Sequence, residues 1–195
     1  SADEMKRLAI IPGVYLAPYE ENNHCFVQVF DSNADEVRYH RYPFSAFQAS
    51  RDSFEVKIGP NTFTRDAISL DINDEIGRLH GGLEFANLNP WPVRSFSPGA
   101  MGWFAWVPMM ECYHGVVSMD HSITGELSLD HQVLDFSGGR GYIEKDWGKQ
   151  FPSAWIWGQS NHFDQTGVSL MLLLAVIPWV VQSFGGFFIG LLHEG

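Results

Sequence analysis

Cysteine is nearly absent from this chain. Cys25 and Cys112 are the two cysteines in 195 residues, which argues against a disulfide framework and fits a reducing compartment. Positive charge is also scarce: 12 Lys and Arg stand against 23 Asp and Glu, a formal net charge of −11. Such a surface repels phosphate backbones and anionic headgroups, so no nucleic-acid partner is expected. The first residues, SADEMKRLAIIPG, lack the long apolar core of a signal peptide. Together these absences predict a cytoplasmic protein. Clean helical periodicity is missing too. The nearest run, DAISLDINDEIGRL (66–79), alternates at Ile68, Leu70 and Ile72 and reads as strand then turn. No P-loop, paired dinucleotide fingerprint or Gly-x-Ser-x-Gly elbow occurs, and GGRG (138–141) lacks the strand–helix context those motifs need. The expected chemistry therefore uses no nucleotide, flavin or metal, and no cofactor is expected.

Aromatic residues are abundant instead, at 14%, with 15 Phe and 7 Trp. Charged residues make up 18%, below the usual quarter or so. Such a chain can bury a sizeable core. Strand signals recur in CFVQVF (25–30), FEVKI (54–58), GVVSM (115–119), GELSL (125–129) and AWIWGQS (154–160). Turn signals separate them at DSNADE (31–36), IGPN (58–61), HGG (80–82), SPG (97–99) and SGGRG (137–141). Many short punctuated strands predict an all-β fold, with an antiparallel barrel as first choice.

Between Gln165 and Leu192 there is no Asp, Glu, Lys or Arg. A span of that length would suffice for one membrane-crossing helix. The competing reading is two buried strands, VSLMLLLAVI and FGGFFIGLL, joined across Pro178 to Ser183. Pro178 and the Gly185–Gly186 pair interrupt a helix, which favours the strands and predicts no transmembrane helix. Glu194–Gly195 reads as a hairpin turn leading to a further strand, so the sequence is expected to be part of a longer polypeptide.

The densest chemistry lies in GGRGYIEKDWGKQFPSAWIWGQSNHF (138–163). In an extended strand, residues i and i+2 share a face about 6–7 Å apart. Glu144 and Asp146 then point one way, Lys145 and Trp147 the other. Two carboxylates on one apolar-walled face raise at least one pKa and make a proton donor. The alternative is that Glu144 pairs with a cation at a barrel rim and Asp146 caps a turn; the pattern leaves both open. Trp155, Trp157, Gln159, Asn161 and Phe163 share the next face. Two indoles followed by two amides suit an amphipathic ligand, or else fill a core and satisfy neighbouring backbone. In MECYHGVVSMDH (110–121), Cys112 and His114 share a face opposite Glu111. No second ligand pair at suitable spacing accompanies them, so no metal site is expected. His114 and His121 are candidate proton shuttles or structural histidines.

The EKDWG segment resembles the EK-x-WG region of tocopherol cyclase and its bacterial relatives. FVQVFDSNADEVRYHRYPFSAF (26–47) and PGAMGWFAWVPMMECYHGVVSMDHSITGEL (98–127) are similar to the early strands and middle of the bacterial members. There the family has a Glu and a His three apart, here Glu111 and His114. The resemblance covers most of residues 6–195. It implies a lipocalin-like β-barrel, with residues from roughly 140 onward starting a second barrel half. It also implies cofactor-free cyclisation of a prenylated hydroquinone or related isoprenoid, an intramolecular-lyase type of isomerisation. Glu144, Asp146, His114 and Glu111 are then the catalytic candidates. Lys145, Trp147, Trp155, Trp157, Gln159 and Asn161 are the substrate-binding candidates. The alternative is a lipocalin-like carrier that holds a small hydrophobic molecule without turnover.

Overall fold

The computed structural model describes residues 1–108, 110–179 and 182–193. Strands dominate, and the helices among the described residues are short 3₁₀ turns. The strands in chain order are β1 (Leu8–Tyr15), β2 (His24–Asp31), β3 (Glu36–Pro43), β4 (Phe47–Ala49), β5 (Glu55–Ile58), β6 (Asn61–Thr64), β7 (Ala67–Asn73) and β8 (Arg78–Ala86). They continue with β9 (Val93–Arg94), β10 (Ser97–Pro98), β11 (Cys112–Leu129), β12 (Gln132–Asp135), β13 (Gly139–Gly148), β14 (Ala154–Ser160), β15 (Val168–Trp179) and β16 (Gln182–His193). The chain divides into two compact units, residues 1–86 with 123–139, and residues 87–122 with 140–195.

The first unit holds an antiparallel sheet β1-β2-β3 and a path β12-β11-β8-β7-β6-β5-β4. Its core joins Cys25, Val27 and Val29 of β2 to Ile58, Phe63, Ile72, Leu79 and Leu127. The alternation in CFVQVF makes this possible: every second side chain turns inward. No strand pair closes the path into a barrel among the described residues, so the sequence expectation is met as antiparallel all-β architecture.

Two local expectations differ from the structure. HGG (80–82) is not a turn; Gly81 and Gly82 lie inside β8. Gly81 has φ +130, and a Cβ there would sit 2.4 Å from the Glu126 backbone oxygen of β11. The glycine serves a close strand approach rather than a reversal. GVVSM and GELSL are not separate strands but parts of β11. The intervening DHSIT contains no Gly or Pro, so nothing stops the strand.

The second unit holds the first part of β11, its partner β13, and the antiparallel sheet β14-β15-β16. The charge-free stretch is thus a hairpin of two strands, but the expectation that both are buried is not met: Phe187, Ile189 and Leu191 of β16 are exposed. Among the described residues no helix is long and apolar enough to cross a membrane. The expected turn at Glu194–Gly195 lies outside the described residues. On β15, Ser169, Met171 and Ala175 are buried, whereas Leu174 and Val176 are exposed. The buried face meets Ala100, Val116 and Met119, with Trp91, Tyr142, Phe188 and Leu192 packed around them.

Candidate active site

Alternation on two paired strands builds the site. His114 on β11 is buried. Tyr142, Glu144 and Asp146 lie at every second position of β13, on the face that meets it. The His114 Nδ1 is 2.8 Å from Asp146 Oδ1, and its Nε2 is 3.6 Å from Glu144 Oε2. One imidazole therefore stands between two carboxylates. Its Nε2 makes no hydrogen bond among the described residues. The ring of Phe188 lies 5.0 Å from the imidazole, centroid to centroid.

Glu144 Oε2 accepts two hydrogen bonds, from the Tyr142 hydroxyl at 2.8 Å and the Trp157 indole N–H at 3.0 Å. Burial pushes the Glu144 carboxyl above its ordinary value. The Tyr142 hydrogen bond and His114 oppose that rise, and the nearby Asp146 adds to it. Burial also drives the Tyr142 hydroxyl upward, with Glu144 adding to it, so the phenol stays a donor at neutral pH. The Cys112 thiol is pushed up to about 11 by burial and by Asp146; it is an inert thiol, not a nucleophile.

The i, i+2 reading of EKDWG places Glu144 and Asp146 together, as found. Lys145 and Trp147 lie on the other face, where the ammonium sits 4.8 Å from the Trp147 ring and Tyr113 stacks on that ring at 5.6 Å. Trp155, Trp157 and Gln159 alternate along β14 opposite Ala175, Leu173 and Met171. Trp157 reaches Glu144, whereas Trp155 is half exposed beside Phe151. The Gln159 side-chain nitrogen is buried and makes no hydrogen bond among the described residues. Asn161 uses its side-chain nitrogen within the protein, donating to Asp120 and to the Gly141 carbonyl. Glu111 precedes β11, and its backbone oxygen accepts from Lys149 N–H at 2.8 Å. Among the described residues its carboxyl makes no hydrogen bond or ion pair with His114, and its Oε2 is buried without a hydrogen bond.

Sequence reasoning missed Tyr142. The available signal was its place two residues before Glu144, on the same strand face. Of the groups around His114, one imidazole nitrogen and two carboxylate oxygens lie within 4.8 Å of one another. That donor set suits a proton, and it is also one that divalent cations use.

A family model described as tocopherol cyclase-like matches residues 84–176. Over that segment the chain is similar to the tocopherol cyclase-like family. The segment contains Tyr142, His114, Glu144, Asp146 and Trp157. A rice protein (Oryza sativa subsp. japonica) named "Probable tocopherol cyclase, chloroplastic" is 30% identical over 83 residues, 43% of this chain and 18% of its own length. A maize (Zea mays) "Tocopherol cyclase, chloroplastic" is 32% identical over 71 residues, 36% of this chain and 15% of its own length. The chain thus spans less than a fifth of these relatives.

Proposed function

We propose that the chain carries the acid site of a cyclase-like enzyme acting on a prenylated hydroquinone or related isoprenoid, with Glu144 as proton donor. One observation carries this reading: a carboxyl raised by burial touches Tyr142, Trp157 and a histidine that Asp146 holds in place. A buried carboxyl of this kind stays protonated to higher pH and can donate.

The chemistry balances without a cofactor. Glu144 gives its proton to the less substituted alkene carbon, and a tertiary cation forms at the other. The phenol oxygen bonds to that carbon and loses its proton, which returns to Glu144 directly or through His114 Nε2. The product is an isomer of the substrate. Asp146, on Nδ1, fixes the tautomer and orientation of His114. The faces of Trp157 and Phe188 are suited to a developing cation. The unpaired Gln159 nitrogen is suited to a ring oxygen. The lipocalin-like barrel, its second half, and a reducing cytoplasmic setting for the two free thiols belong to the same proposal.

The test incubates prenylated hydroquinones of several chain lengths with the protein and with Glu144→Gln, followed by chromatography and mass spectrometry. A product of equal mass and new retention time is expected, falling at least roughly a hundredfold in the variant. Substrate recovered bound but unchanged would instead support a carrier. Full turnover by Glu144→Gln would remove Glu144 from the mechanism.

A further inference from the structure

Farther along the β11–β13 pair, within the second unit, lies a polar pocket of about 350 Å³. Asn87, Asn89, Ser122, Arg140 and Thr166 line it, with Asp120 and His121. Arg140 precedes Glu144 by four residues on β13, about 13 Å at strand spacing. The pocket is therefore distinct from the carboxylate–histidine group.

Its charge is already balanced. Arg140 Nε donates to Asp120 Oδ1 at 2.8 Å, and Nη2 meets Oδ2, a bidentate fork. Asn161 donates to the same Oδ1 at 3.1 Å. Asp120 is buried, and its side-chain oxygens are committed to these donors. Arg140 keeps further N–H groups, since among the described residues no hydrogen bond uses Nη1. The Ser122 oxygen accepts from Asn87 at 3.3 Å, which leaves its own O–H to donate.

We propose that this pocket binds a neutral small molecule through a carbonyl oxygen, received by Arg140 and the neighbouring hydroxyls. Each alternative class meets an obstacle. A cation would face a guanidinium that cannot lose its proton. An anion would enter a chain of net charge −11, where Asp120 has already neutralised Arg140. A pure hydrocarbon would strip water from these donors and return nothing. An acceptor without charge satisfies them.

The test uses one ring with four head groups: cyclohexanone, methylcyclohexane, cyclohexanecarboxylate and cyclohexylammonium. Binding is followed by NMR of ¹⁵N-labelled arginine, asparagine and tryptophan side chains in the full chain. Cyclohexanone is expected to shift the Arg140 Nε–H and Asn161 resonances saturably, and to bind at least roughly tenfold more tightly than the other three. Thr166→Val and Asn87→Ala, both exposed positions, should each weaken it by roughly three- to tenfold while leaving the Asp120–Arg140 pair intact. Equal or tighter binding of the carboxylate would overturn the proposal, as would saturable shifts confined to the Trp157 indole or no saturable shift. The readout does not involve turnover, so it stands or falls apart from the cyclase reading.

Discussion

Glu144 sits where three effects compete. Burial raises its pKa, donors from Tyr142 and Trp157 lower it, and Asp146 raises it again. Burial prevails, so the native state favours the protonated carboxyl over its unfolded value. The linkage sign follows: stability from this residue is fully present below the unfolded pKa and is lost as pH rises through the higher native one. Glu144→Gln should flatten that loss. Urea unfolding midpoints of both proteins across pH 4 to 8 would show it; parallel curves would mean that Glu144 titrates normally. The pairing of Glu144 with Asp146 was legible because strand alternation is a local rule. Their meeting with His114 was not, because it depends on which strand pairs with β13, about 30 residues away in sequence. Asp120 and Arg140 escaped notice for the same reason.

At the scale of elements, β13 ends where a side chain cannot fit. Gly148 has φ +156, and a Cβ there would lie 2.1 Å from the Glu111 backbone oxygen. Gly148→Ala should therefore cost about 1–3 kcal/mol or more, since backbone atoms cannot step aside as side chains do. Thermal unfolding of the variant checks it; an unchanged Tm would contradict this packing. The hairpin β15–β16 was readable from Pro178 and the paired glycines, which break a helix at mid-span. The continuity of β11 was harder to read. Gly115 and Gly125 look like punctuation in the sequence, yet both lie within the strand.

Over the whole molecule, two hydrophobic cores form, one in each unit. His121 belongs to the second unit and is buried, and burial lowers its pKa to about 4. It must stay neutral in the native state, so stability falls as pH drops below the unfolded value near 6.5 and levels off near 4, by on the order of 3 kcal/mol. In the first unit, buried His40 is held instead by Asp74 at 2.8 Å. Asp74, whose own pKa is lowered, loses its contribution only below the ordinary carboxylate range. Hydrogen exchange between pH 6.5 and 4 should thus lose protection first at Met119 and Ser169, before Val27 and Leu127. The reverse order would contradict the burial assigned to His121. Composition made the all-β class plain. The division into two cores was not visible, because β11 contributes to both and no linker composition marks the change.

In the proposed reaction a proton moves from Glu144 to carbon. Running the cyclisation in D₂O tests it most directly. Mass spectrometry should then find one deuterium on a carbon of the ring-closed product, with formation lost in Glu144→Gln. A ring-closed product without carbon-bound deuterium, or one formed equally fast by the variant, would contradict the account.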